Sequence, residues 1–179
     1  MRLINPIVPA VFLILATGQL RAADAPTEFT AGPFKFTRPP SWTWVQPTSS
    51  MRQAELKVED QDKKQSAEVV FFFFGSGQGG DAKANVERWY SQFAEERGKI
   101  FARFEEKSSR GLKITYAFAE GTYLSGPPMG RKIPMKNYAL IGAILEDAGG
   151  NVFVKMTGPI ELTKTAEAEF RKMVEDARK

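Results

Sequence analysis

The stretch QAELKVEDQDKKQSAEVVFFFF, residues 53–74, determines the fold class. Polar and apolar side chains alternate from Gln53 to Glu59, which is typical of a strand with one covered face. After a polar turn the chain becomes apolar on both faces from Val69 to Phe74, which indicates a central strand covered on both sides. The two segments therefore predict a β-hairpin within a larger sheet.

Two later segments have apolar residues at helical spacing. The first follows Asp81, a predicted N-cap, and the second begins near Thr163. The buried faces are predicted to carry Ala82, Val86, Trp89, Tyr90 and Phe93 in the first helix and Ala166, Phe170, Met173, Val174 and Ala177 in the second.

Four further segments have strand character: residues 100–106, 112–123, 137–146 and 152–157. Short turns rather than helical crossovers join most of the strands, so the sheet should be largely antiparallel. We predict an α+β fold in which a mainly antiparallel β-sheet is sandwiched by helices.

The N-terminus has the pattern of a secretory signal peptide over residues 1–22. Arg2 precedes an apolar run, and small residues at Ala22 and Ala23 offer a cleavage point. We expect residues 23–31 to form a flexible leader and residues 32–179 a single domain, exported to the periplasm or secreted.

An uncleaved signal anchor is the alternative for this segment. Asn5, Pro6 and Pro9 shorten the apolar stretch, which favours cleavage. No later apolar run approaches the ~20 residues that a membrane-spanning helix needs. We therefore expect a mature chain without an integral membrane span.

The composition excludes several function classes. The chain has no histidine and no cysteine, which removes histidine-dependent catalysis, thiol chemistry, the usual zinc sites and a bacterial lipoprotein anchor. Without Arg2 and Arg21 of the signal peptide, the formal charge of +4 falls to +2, which is too small to indicate nucleic-acid binding. We expect no cofactor, no metal and no catalytic residues.

Residues 75–80, GSGQGG, match the G-x-G-x-x-G pattern of dinucleotide-binding turns. The domain is too short for paired nucleotide-binding halves, and Asp81 places a negative charge where a pyrophosphate would bind. A glycine-rich connection between strand and helix is the favoured interpretation. Binding of a phosphate or carboxylate by its backbone amides is the weaker alternative.

The acidic pairs are neighbours in sequence and cannot face each other across a cleft as glycosidase carboxylates do. Asp60 and Asp62 resemble the start of a calcium loop, but Lys64 and the missing glycine contradict that interpretation. Basic residues between Arg97 and Lys113 are interspersed with acids, so a solvated surface is favoured over a site for an acidic partner.

The segment Leu124–Lys136 is the candidate partner-binding site. We predict a loop of about a dozen residues between two strands, where a hairpin would need two to five. A structural cover folded over its own sheet is the equally supported alternative. Its apolar and basic residues, a mixture that protein-binding surfaces use, are Met129, Arg131, Lys132, Ile133, Met135 and Lys136.

Two segments resemble the PsbP-like superfamily. Phe34–Trp42, FKFTRPPSW, is similar to its opening strand with prolines and tryptophan, and Val154–Pro159, VKMTGP, is similar to its last strand. The resemblance in element order covers residues 32–177. It implies an α/β/α sandwich that docks onto another protein, and it implies no catalytic residues.

The sequence therefore predicts an exported, non-catalytic binding or accessory module that docks onto a protein partner in the cell envelope. The alternative is a small-ligand-binding protein or small enzyme that uses a pocket between sheet and helix.

Overall fold

The computed structural model describes residues 25–47, 49–127 and 129–179, so the expected signal peptide, residues 1–22, lies outside the described residues. The elements are β1 (Glu28–Ala31), β2 (Phe34–Thr37), β3 (Thr43–Val45), β4 (Arg52–Glu59), β5 (Ser66–Phe73), α1 (Ala82–Tyr90), a 3₁₀ turn (Arg97–Lys99), β6 (Arg103–Ser109), β7 (Leu112–Ser125), β8 (Ile133–Glu146), β9 (Val152–Pro159) and α2 (Ile160–Glu175).

Seven strands form one antiparallel sheet in the order β3-β4-β5-β9-β8-β7-β6. The hairpin predicted from residues 53–74 is confirmed as β4 and β5, and β5 lies inside the sheet between β4 and β9. β1 and β2 form a separate two-stranded sheet. The structure confirms the predicted α+β fold with a mainly antiparallel sheet.

The sheet has an apolar core on each face. Along β9, Val154 and Met156 enter one core with residues of α2 and of the β1–β2 hairpin, and we call this side the α2 face. Phe153 points the other way, into a core with residues of α1, and we call this side the α1 face. Strand side chains alternate between faces, so a central strand must be apolar throughout.

Helix α1 begins where the sequence predicts. The Asp81 carboxylate accepts a hydrogen bond from the backbone N–H of Ala84 at 2.8 Å, which satisfies one free amide of the first turn. Trp89 and Tyr90 are buried as predicted. The Trp89 ring lies so close to Gly142 of β8 that a Cβ atom there would collide with it.

The expected flexible leader, residues 23–31, is wrong from Glu28 onward. Residues Glu28–Ala31 pair with β2 as strand β1, and Phe29 is only 8% exposed. Its ring packs 4.9 Å from that of Phe71 and 5.6 Å from that of Phe36, measured between centroids. A four-residue strand is too short for an alternation pattern to be distinctive, which is why the sequence did not reveal it.

None of the helices in the described ranges is both long and apolar enough to cross a membrane.

Candidate functional site

The segment Leu124–Lys136 is not the dozen-residue loop that the sequence predicts. β7 and β8 continue as a hairpin to the pair Ser125 and Ile133, so only residues 126–132 connect them. Pro134 lies within β8, opposite Leu124. Pairing of β8 with β9 ends at Tyr138, so this part of β8 is an edge strand. The missing N–H of a proline costs no ladder hydrogen bond at such an edge.

A bulge separates this end of the hairpin from the rest of the sheet. Gly121 pairs with Tyr138 and Tyr123 pairs with Met135, so two residues of β8 oppose the single residue Thr122. One of the two, Asn137, has a left-handed φ of 57°. We call residues 123–136 the distal hairpin. The extra residue shifts the alternation, so Met135 turns to the α1 face alongside Tyr123.

The segment after α1 holds the bulge in place. The backbone N–H of Thr122 donates to the Glu95 carboxylate at 2.9 and 3.1 Å, and its carbonyl accepts from Ala94 N–H at 2.9 Å. These hydrogen bonds from Thr122 lower the pKa of the Glu95 carboxyl. The backbone N–H and C=O of Thr122, which face away from β8 on the outer edge of β7, are therefore both satisfied.

Three polar side chains meet beneath the distal hairpin. Lys155 Nζ lies 3.1 Å from both Tyr123 Oη and Gln92 Oε1, and the Tyr123 hydroxyl is 3.0 Å from the same Gln92 oxygen. Lys155 points to the α1 face between Val70 and Gly142, where the residue is partly buried and its ammonium group is largely buried. The triangle thus ties β9 and the end of α1 to the first residue of the distal hairpin.

Burial shifts the acidity of two of these groups. Removal from water lowers the pKa of Lys155 to about 8, against the opposing attraction of Glu68. The same loss of solvent raises the pKa of Tyr123 to about 12, and the negative charge of Glu68 adds to the increase. The phenol therefore stays protonated, and the lysine is charged at neutral pH at a cost in stability.

The structure places five of the six predicted partner-binding residues on the surface: Met129, Arg131, Lys132, Ile133 and Lys136. Met129 is fully exposed and Ile133 is 58% exposed. The sixth, Met135, is partly buried against the α1-face core, where it packs at the base of the distal hairpin. The hairpin thus holds five of the candidate residues together at one end of the sheet.

The charge of the distal hairpin is of one sign. Between Glu120 and Glu146 the sequence has no acidic residue, and Arg131, Lys132 and Lys136 form no ion pair with any residue that the structure describes. Lys132 Nζ donates to the carbonyls of Gly126 and Pro127 at 3.1 and 2.7 Å, so it also stabilises the turn.

The glycine-rich connection, residues 75–80, is organised by local contacts. Gly75, Gly77, Gly79 and Gly80 all have positive φ, and the N–H of Gln78 donates to the Gly75 carbonyl at 3.2 Å. The Asp81 carboxylate occupies the first turn of α1, where an external anion would otherwise bind. This contact supports the interpretation of the segment as a structural connection.

Sequence reasoning missed Lys155 and Gln92. A signal for the first was present, because Lys155 interrupts the apolar run of β9 at a position that alternation assigns to a covered face. Gln92 carried no such signal, since it lies just after α1 in a connection of irregular structure. Among the described residues, no three acidic side chains come close enough to hold a metal ion.

Comparison with solved structures identifies a similar fold. The chain resembles the solution structure of cyanobacterial PsbP (CyanoP) from Synechocystis sp. PCC 6803, with a TM-score of 0.50 and 12% sequence identity over 81% of this chain and 85% of the other. No protein-family model and no curated protein match the sequence. The PsbP-like fold expected from residues 34–42 and 154–159 is therefore confirmed.

Proposed function

We propose that this PsbP-like domain is an exported, non-catalytic accessory module that docks through its distal hairpin onto an acidic surface of a protein partner in the cell envelope. One observation carries the proposal: the distal hairpin combines fully exposed Met129 with three cations, Arg131, Lys132 and Lys136, that form no ion pair within the described part of the chain. Exposed apolar side chains beside charges of one sign are what a steered protein contact requires.

The support beneath the hairpin fits a docking role. Its base is fixed by the Lys155, Tyr123 and Gln92 triangle and by the contacts of Thr122, so the strands that lead to the exposed residues start from a fixed position. A rigid presenting element loses less conformational entropy when it binds. The sequence also lacks histidine and cysteine, the side chains that most often act as catalytic bases and nucleophiles.

Site-specific photo-cross-linking in the native host tests this proposal. A benzophenone amino acid at position 129 should cross-link one protein, whereas the same probe at Met51, which is 61% exposed, should not. The cross-linked peptide of the partner should be rich in Asp and Glu. Cross-links to lipid, to a second copy of this chain or equally from both positions would contradict the proposal.

A matched pair of charge reversals sharpens the test. Arg131→Glu with Lys136→Glu should abolish the cross-link from position 129. Lys63→Glu with Lys83→Glu makes the same change in net charge at two exposed lysines elsewhere and should leave the cross-link intact. Equal losses in both variants would show that only the overall charge matters.

A separate measurement tests whether the protein is exported and its signal peptide is cleaved. Protein recovered from the envelope or the medium should begin at Ala23 or Asp24, as determined by N-terminal sequencing. Recovery with Met1 still present would contradict cleavage and would support a signal anchor.

A second candidate function, small-ligand binding between sheet and helix, is favoured by a different observation. A cleft of about 450 Å³ lies between the N-terminal half of α2 and strands β7 and β8. This volume falls within the range of ligand-binding pockets.

A further inference from the structure

The cleft between α2 and the sheet has an apolar floor. Phe118 of β7 and Ala139 and Ile141 of β8 line it, and each is at most 6% exposed. Thr163 and Lys164 of α2 line the opposite wall. An apolar floor in a cavity of about 450 Å³ suits the ring or chain of a small organic molecule.

The charged groups at its rim neutralise one another. Lys164 Nζ lies 3.2 Å from a Glu120 carboxylate oxygen, and an Arg103 guanidinium nitrogen lies 3.9 Å from an oxygen of Glu167. Two cations and two anions leave no net charge at the rim. A charged ligand would lose hydration without gaining an unpaired counter-ion, so the rim favours an uncharged one.

Arg103 also supplies a planar surface. Its guanidinium carbon lies 3.6 Å from the centroid of the Phe118 ring, so the two groups stack on each other in the wall of the cleft. The guanidinium covers the Phe118 ring, which is only 6% exposed, but the Arg103 side chain is itself exposed and can accept an aromatic ring on its outer face by stacking. The lining therefore has a preference for flat or aromatic molecules.

Phe101 stands at the mouth of the cleft in an unusual conformation. Its φ is 50°, a left-handed value that is an outlier for a bulky side chain, and it is 80% exposed. Its neighbours are fixed, because the Ile100 carbonyl accepts from Glu120 N–H at 2.7 Å and Arg103 pairs with Phe118. Backbone conformations of this kind are concentrated at ligand clamps and active sites.

We propose that this cleft binds a small uncharged organic molecule with an aromatic or apolar body, and that Phe101 closes against the bound molecule. The inference rests on the second candidate function and names its ligand class. Docking through the distal hairpin is independent of it, because the cleft lies at the N-terminal half of α2 and shares no residue with segment 123–136.

Two related fluorescent probes test the ligand class. N-phenyl-1-naphthylamine is uncharged, and 8-anilino-1-naphthalenesulfonate is the same ring system with a sulfonate. The uncharged probe should bind saturably at one site per chain, roughly tenfold more tightly than the sulfonate. Equal affinities at the same site would overturn the inferred class, and absence of saturable binding would overturn the site and the second candidate function together.

A pair of phenylalanine substitutions locates the bound probe. Phe101→Ser should weaken binding of the uncharged probe roughly tenfold by removing an aromatic contact. Phe104→Ser is the control, since Phe104 is 60% exposed nearby but does not line the cleft, and it should leave the affinity unchanged. Equal effects of the two substitutions would show adhesion to exposed aromatic surface and would overturn the proposal.

A substitution that fills the cleft with a larger side chain is an independent test of the site. Ala139→Leu places a larger side chain on the floor and should abolish probe binding in protein that keeps its native circular dichroism spectrum. Undiminished binding to folded Ala139→Leu would overturn the proposal. If that variant does not fold, the comparison of Phe101→Ser with Phe104→Ser decides the question, because both residues are exposed.

Discussion

Lys155 Nζ and Tyr123 Oη lie 3.1 Å apart on the α1 face of the sheet, joined to each other and to Gln92 without a carboxylate in the triangle. A largely buried ammonium that is held only by neutral oxygens retains much of its desolvation cost. The contact links the strand that precedes α2 to the base of the distal hairpin. The free energy of this contact therefore bears on both the stability of the domain and the position of the distal hairpin.

The first prediction is a pH dependence of stability that Lys155 causes. Its folded-state pKa of about 8 lies below the ordinary value of 10.5, so the unfolded chain binds more protons between these values. Stability from this group therefore increases as the pH rises through that window. Relative to Lys155→Met, the wild type should gain about 2–3 kcal/mol in unfolding free energy between pH 7 and pH 10.

Urea denaturation of both proteins at each pH measures this difference, and the titration of groups that do not contact Lys155 cancels in the comparison. The variant leaves the hydrogen bond between Tyr123 and Gln92 in place. Parallel stability curves for the two proteins would show that the Lys155 ammonium is hydrated in the folded state.

The second prediction concerns the contact between Trp89 and Gly142. Trp89→Ala should cost about 3–5 kcal/mol by leaving a cavity, and Gly142→Ala should cost about 1–3 kcal/mol because its Cβ atom collides with the indole. The double variant should be less destabilised than the sum of the two, since the cavity accommodates the new methyl group. Additive free energies of unfolding would place the indole away from Gly142.

The third prediction concerns β1. Phe29→Ala should destabilise the domain by about 3–4 kcal/mol, because the ring packs against Phe36, Trp44 and Phe71. Thr30→Ala is the control on the exposed side of the same strand and should change stability by less than about 0.5 kcal/mol. Thermal or urea unfolding measures both. A loss below about 1 kcal/mol for Phe29→Ala would restore the idea of a leader outside the fold.

The fourth prediction separates binding from stability at the distal hairpin. Replacing Arg131 and Ile133 with serine should abolish cross-linking from the probe at position 129, while each change alters stability by no more than about 0.5 kcal/mol. Lys132 is kept because it donates to the carbonyls of Gly126 and Pro127. A large fall in melting temperature would show that these side chains pack on their own sheet, as the structural-cover alternative requires.

Strong periodic patterns made most of the fold predictable. The alternation in residues 53–59, the apolar run from Val69 and the helical spacing after Asp81 each reflect burial against a continuous face, and the structure has β4, β5 and α1 at those places. The predicted strand 100–106 begins later, at Arg103, because a 3₁₀ turn and the left-handed Phe101 precede it.

The candidate site was only partly predictable, because its shape depends on long-range pairing. Three prolines in residues 124–136 favour a loop, and only the absence of a β9 partner beyond Tyr138 makes a proline-bearing strand possible there. The bulge opposite Thr122 sets the side of Met135, and the Thr122 N–H there donates to Glu95, a residue distant in sequence. Neither relationship leaves a local pattern.

The two edges of the seven-stranded sheet limit how the protein can meet others. β3 is only three residues long, and β6 places Arg103, Glu105, Glu106 and Lys107 along the opposite edge. Short edges and charged edges both resist the addition of a foreign strand. We expect the chain to stay free of edge-to-edge polymers at high concentration, because Pro134 also removes an amide donor from the free edge of β8 in the distal hairpin.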